Sequence, residues 1–319
     1  RGSPERRRFF HNVAERLSRE GLLERAFYYV DDEPLMDDYT RLIEDAQEIR
    51  RSVPRLRTLV TEPYMHRLEG LVDIWCIDIP MYDPALPVFP MYGKGSGLQP
   101  EFQVSHGVHS YVQEREEGRE LWMYTCTSAQ VMNYPSLFID TVPAGQRIIP
   151  WLLRHYRATG MIYFRLTHAY RNGNDPWKNQ YYFGANGDGT LLYPAHPDLP
   201  WCEEHGAVAS MRMKLLRDGF EDYEYLRLAS GEQGSSDFSG DTGGEAFGDL
   251  LDSPLSWEKD LVRIAELRDE IGMEIEKPGS SVKRQKMDYN QLSQPSISLE
   301  YWAIPEWASP SNGAMHMLV

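Results

Sequence analysis

The sequence predicts an α/β fold built on a parallel sheet. Three observations carry that prediction. Apolar runs of strand length alternate with segments of helical period through the first two-thirds of the 319 residues. The residues of chemical interest sit at or just past the carboxyl ends of those runs, where barrels and doubly wound sheets both place their sites. No Gly-rich phosphate loop follows a strand directly: Gly93-Lys94-Gly95-Ser96-Gly97 lies inside a long loop without the spacing of a nucleotide site.

The elements follow in order. Ser3-Pro4-Glu5 opens a helix, with Ser as cap and Pro in the first turn. Phe9, Phe10, Val13, Leu17 and Leu22 form its apolar stripe, and Gly21 stops it. Ala26 to Val30 is a buried strand, aromatic and β-branched. Pro34 starts the next helix, which runs to about Arg51 through Tyr39, Leu42, Ile43, Ala46 and Ile49. Leu56–Val60, Leu71–Ile77, Leu121–Thr125 and Met161–Leu166 are the remaining strands. Helices are expected near Ser105–Glu117, Gly145–Ala158 and Gly206–Leu228. A Pro-, Gly- and Tyr-rich loop spans Asp78 to about Pro100, a length that often carries function. Residues 1–230 therefore read as one α/β domain. Residues 231–255 shift to Gly, Ser and Asp and predict a flexible acidic linker. Residues 256–319 hold one helix, Trp257 to Glu274, and an irregular aromatic tail.

Composition narrows the function. A net charge of −15 argues against nucleic acid, whose phosphates need clustered Lys and Arg. No apolar run is long enough to span a membrane. The 19 Tyr and 8 Trp suit ligands with apolar faces and polar edges, such as sugars, although a large core also uses aromatics. Three cysteines, Cys76, Cys126 and Cys202, have no metal or redox spacing. His106 and His109, with Glu101, have a spacing that can hold a metal, but no third and fourth ligand accompany them. No cofactor is expected. The composition leaves compartment and oligomeric state open.

The chemistry concentrates in Tyr28-Tyr29-Val30-Asp31-Asp32-Glu33-Pro34. Three acids in a row at a strand end repel one another, which favours a carboxyl that stays protonated near neutral pH. The competing reading is a helix N-terminus, where acids complement the dipole. Alternation points Asp31 away from Asp32, toward a structural partner. Trp75, Trp122 and Tyr124 fall at strand ends and can wall a sugar pocket or pack the core. Trp177 and Tyr193 lie on loops that can reach a substrate. The helix segment Arg217 to Tyr225 reads as scaffold, with Arg217 and Glu221 spaced as an ion pair.

Tyr29-Val30-Asp31-Asp32-Glu33-Pro34 resembles the Asp-Glu-Pro signature of glycoside hydrolase family 123. The likeness continues in order through Val72 to Cys76, Leu121 to Cys126, Gly187-Asp188-Gly189…Tyr193-Pro194 and Met211 to Leu226. It covers residues 1 to about 230. The resemblance implies an eight-stranded (β/α) barrel whose Asp-Glu strand is about the fourth, so that this chain carries a partial barrel. It implies a retaining β-N-acetylgalactosaminidase with substrate assistance, an exception to the two-carboxylate scheme. Glu33 would act as general acid and base, and Asp32 would hold the 2-acetamido group. The implied partner is a glycan or glycoconjugate. A sugar without an acetamide, or a non-catalytic carbohydrate-binding remnant, fits the same residues.

Overall fold

A computed structural model describes residues 4–83 except 35 and 63, residue 114, residues 117–198 except 132, 182–183 and 197, then 206–230 and 250–277. The long loop after Asp83, the helix near Ser105, the Gly93 run, Glu101, His106, His109, Cys202 and the tail after Lys277 lie outside the described residues.

The chain opens with α1 (Pro4–Arg19), then β1 (Phe27–Asp31), α2 (Tyr39–Ser52), β2 (Arg57–Val60) and β3 (Ile74–Asp78). β4 (Glu120–Tyr124), the short α3 (Thr127–Val131), α4 (Ala144–His155) and β5 (Gly160–Ile162) follow. β1 to β5 form one parallel sheet in sequential order, the arrangement of a curled half-barrel. Among the described residues the sheet does not close into an eight-stranded barrel, so the barrel expectation holds only for this arc.

Side chains sort to two faces by strand alternation. Phe27, Leu59, Ile74, Cys76 and Tyr124 pack on the concave face with Tyr29, Trp122, Cys126 and Ile162. Tyr28, Val30, Val60, Trp75, Ile77, Leu121 and Met123 pack outward against the helices. α1 supplies Phe10, Ala14 and Leu17, and α2 supplies Leu42, Ala46 and Ile49. Arg6 to Asp45, at 2.6 Å, ties these two helices together.

Several expected elements start or stop elsewhere, among them the third strand, which begins at Ile74 and not Leu71, and the last helix, which begins at Leu261 and not Trp257. The helix does not open at Pro34: a 3-10 segment, Met36–Asp38, precedes α2, which begins at Tyr39. β5 ends at Ile162, because residues beyond it leave the sheet: Leu191 N–H and Leu192 N–H both donate to the Leu166 carbonyl. The long helix begins at Met211 as α5 (Met211–Ala229), after β6 (Leu192–Tyr193) and β7 (Val208–Ala209) pair antiparallel. Ser210 caps it by accepting from Met213 N–H at 3.2 Å. The last helix, α6, spans Leu261–Glu276. Of the expected linker, residues 231–249 are outside the described part, while Leu250 and Leu251 are buried.

α4, α5 and α6 are joined by one buried carboxylate. Asp222 accepts from Arg147 at 2.7 and 3.0 Å and from the Trp151 indole at 3.1 Å, and pairs with Arg268 at 3.4 Å. Gly219 permits this close approach: a Cβ there would stand 2.3 Å from the Arg147 carbonyl oxygen.

Candidate active site

Five parallel strands deliver their carboxyl ends to one rim. Asp31 ends β1 and Asp32 and Glu33 follow it, Thr61 and Glu62 follow β2, Asp78 ends β3, and Tyr124 ends β4 with Thr125 and Cys126 after it. The three acids at β1 separate because the β1–β2 register slips. Tyr29 stands opposite Leu59, yet Asp31 stands opposite Val60, one residue on. Val30 is the extra residue of this bulge. Asp31 consequently turns to the helix side, where Arg41 of α2 holds it at 2.6 Å. Asp32 returns to the face of Tyr29.

Asp32 is exposed at the mouth and held from beneath. Its Oδ1 accepts from the Tyr29 hydroxyl and, at 3.0 Å, from the Thr61 hydroxyl. Tyr29 is also 2.9 Å from Thr61 Oγ1. Burial and the neighbouring Asp32 push the Tyr29 phenol far up, so it remains a donor.

Glu33 sits differently. It is half-buried, and its backbone takes the left-handed conformation, φ 45°. A non-glycine residue there is strained, and such strain concentrates at functional sites. Thr61 Oγ1 holds the turn by accepting from Glu33 N–H at 2.8 Å. The Glu33 carboxyl accepts from the Tyr124 hydroxyl at 2.6 Å through Oε1. Burial raises its pKa, the Tyr124 bond pulls the other way, and the charge of Asp32 raises it again. The two neighbouring carboxyl groups thus have separate partners, Asp32 on Tyr29 and Thr61 and Glu33 on Tyr124, while Thr61 also holds the Glu33 backbone.

Two further acids flank this pair. Glu62 is buried, accepts from Tyr39 at 2.6 Å, and is pushed up to about 8 by burial, with Glu33 contributing. Asp78 is buried on the concave side and is pushed up to about 7, again chiefly by burial. The motif reading missed Thr61, Glu62 and Asp78. Each ends or follows a strand, so a survey of polar residues at every strand end would have found them.

The aromatic expectations divide. Tyr124 stands at the rim on Glu33. Trp122 is concave too, but two residues deeper, with its indole N–H on Glu120 at 2.9 Å and its ring against Phe27. Trp75 faces the helices: it is buried, donates to Glu114 at 2.9 Å and packs on Tyr64. Trp177 and Tyr193 pack together with their rings tilted, centroids 4.8 Å apart, with His196 beside Trp177 and the Trp177 indole N–H on the Pro194 carbonyl at 3.0 Å. Tyr163, just past β5, donates to Asp188 of the Gly-Asp-Gly turn at 2.9 Å. No group of three or more potential metal ligands occurs among the described residues.

The model of the glycoside hydrolase 123 catalytic domain matches residues 6–229, most of the chain and the whole of this rim. The chain belongs to glycoside hydrolase family 123. The fold agrees with a solved structure described as a family 123 glycoside hydrolase from Clostridium perfringens, in work on glycolipid glycan hydrolysis. The two share 15% identity with a TM-score of 0.54, over 84% of this chain and 44% of that one. This family 123 chain thus spans less than half of that protein's length. No curated protein sequence matches it significantly.

Proposed function

We propose that this family 123 domain is a retaining glycosidase acting on a terminal β-N-acetylgalactosaminide, with Glu33 as general acid and base and Asp32 on the acetamido group. The observation that carries the reading is the pair of distinct environments given to adjacent carboxyls. Glu33 is half-buried, and burial raises its pKa, the direction a general acid needs. It protonates the glycosidic oxygen as that bond breaks. The substrate's own acetamido oxygen attacks the anomeric carbon. Asp32, aimed by Tyr29 and Thr61, accepts from the acetamido N–H, and its charge stabilises the oxazolinium-like intermediate. Glu33, now a carboxylate steadied by Tyr124, takes a proton from the water that opens the intermediate.

Tyr124 and Trp122 wall the sugar in this reading, and the adjoining rings of Trp177 and Tyr193 offer a further aromatic surface for it. Trp75 has no part, since its ring is spent in the outer core.

The test is a panel of aryl glycosides with and without a 2-acetamido group, turned over by the wild type, Asp32→Asn and Glu33→Gln. Activity on the acetamido sugars should fall about 100- to 10,000-fold in Glu33→Gln, with partial rescue by good leaving groups. Asp32→Asn should fall comparably, and a thiazoline mimic of the intermediate should inhibit the wild type. Equal turnover of substrates lacking the acetamide, with a trappable glycosyl adduct on Asp32, would replace substrate assistance by a direct nucleophile. Sugar binding without turnover would leave a carbohydrate-binding module.

A further inference from the structure

One hydroxyl reaches both residues of the acid pair. Thr61 follows β2 and is buried. The register sets Asp31 opposite Val60, so the next residue, Thr61, meets Asp32. Leu59 lies on the concave face, and alternation puts the Thr61 side chain there too. Its Oγ1 stands 2.8 Å from the Glu33 amide, 2.9 Å from the Tyr29 hydroxyl and 3.0 Å from Asp32 Oδ1.

A hydroxyl offers one proton and two lone pairs. The Glu33 amide can only donate, so it uses a lone pair. The Asp32 carboxylate can only accept, so it takes the proton. Losing the hydroxyl would not affect the two acids equally. Asp32 Oδ1 keeps a second donor, the Tyr29 hydroxyl. Glu33 N–H has no other hydrogen-bond partner among the described residues. That amide belongs to the residue at φ 45°, a conformation that persists only where its surroundings enforce it. Tyr124 holds the carboxyl end of Glu33, and Thr61 holds the backbone end.

We propose that Thr61 is a positioning residue whose hydroxyl fixes the Glu33 turn, and so the proton donor, in place beside the Asp32 carboxylate. This rests on the glycosidase reading, in which the leaving oxygen must be protonated while the acetamide is held for attack. Without the hydroxyl, the Glu33 backbone relaxes toward negative φ and the carboxyl moves with it, while Asp32 stays on Tyr29. A misplacement of about 1 Å costs on the order of 100-fold in such an arrangement. The loss therefore falls on the acid step and largely spares the acetamide contact.

The experiment compares wild type, Thr61→Val, Thr61→Ala and Thr61→Ser on a phenyl and a dinitrophenyl N-acetyl-β-galactosaminide, with melting temperatures as a folding check. The phenyl leaving group needs an acid, and the dinitrophenyl group does not. The Ki of the thiazoline mimic reads the Asp32 contact separately. In Thr61→Val, kcat/KM should fall about 100-fold on the phenyl glycoside. On the dinitrophenyl glycoside it should fall no more than about fivefold, with Ki raised by a similar factor. Thr61→Ser keeps the hydroxyl and should stay within about threefold of wild type on both substrates. Should valine not fold, alanine, which also lacks the hydroxyl, gives the same comparison. Equal losses on both substrates in a folded valine or alanine variant, no loss on either, or a serine variant as poor as these overturns the proposal and leaves the glycosidase intact. A wild type silent on the whole aryl glycoside panel overturns the glycosidase reading and this role together.

Discussion

Removing one hydroxyl, in Tyr124→Phe, should move the pH profile in a direction the geometry dictates. Tyr124 donates to Glu33 Oε1 at 2.6 Å, and a donor favours the ionised form of its acceptor. Burial and the Asp32 charge work against ionisation, so Tyr124 is the restraint on an otherwise rising pKa. A hydrogen bond to a charged group contributes roughly 1.5–3 kcal/mol, and about 1.4 kcal/mol corresponds to one pH unit. The mouth is half-open at Glu33, so water recovers part of the loss, and a rise of about one unit is expected. As general acid, Glu33 must be protonated in the free enzyme. Activity therefore falls as pH climbs through its pKa, and in Tyr124→Phe that alkaline limb should move about one unit upward. The assay is kcat/KM across pH 4–9 on an activated aryl substrate, chosen so that leaving-group protonation does not hide the limb. A limb that stays in place, or moves down, refutes the assignment of Glu33 as the acid restrained by Tyr124.

Two expectations concern stability. Glu62 is pushed from 4.5 to about 8 in the fold, so the folded state binds the proton more tightly than the unfolded chain. Its contribution is fully present below about pH 4.5 and is lost as pH rises toward 8. Relative to wild type, Glu62→Gln should therefore gain on the order of 3 kcal/mol between pH 5 and 7.5, read as a pH-dependent difference in unfolding free energy; a difference constant with pH argues against a buried neutral acid. Asp222→Ala should lose about 3–5 kcal/mol in urea titration, because Arg147 is left buried without its partner. Folded enzyme should keep its KM, and a loss under 1 kcal/mol would show that the α4–α5–α6 junction does not depend on this ion pair.

The sequence was sufficient for the order of the five strands of the parallel sheet and for the family. Hydrophobic alternation is a local property, and the five strands, the Asp-Glu-Pro and Gly-Asp-Gly motifs and the segment Met211 to Leu226 are all written within short stretches. It could also separate Asp31 from Asp32, since neighbours in a strand oppose one another. Which of them enters the mouth was decided by the slip between Tyr29 and Asp31 against Leu59 and Val60. That slip is a relation between two strands, invisible in either alone. Trp75 illustrates the same limit. All five residues of its strand are buried, so no polar alternation reveals its face, and only packing against Tyr64 and Glu114 places it outside. Thr61, Glu62 and Asp78 are unremarkable where they stand in the chain. They become chemistry because a curled parallel sheet brings the carboxyl ends of β1, β2 and β3 to one rim. There burial raises both acids, Tyr39 restrains Glu62, and Ser128 and Cys126 restrain Asp78.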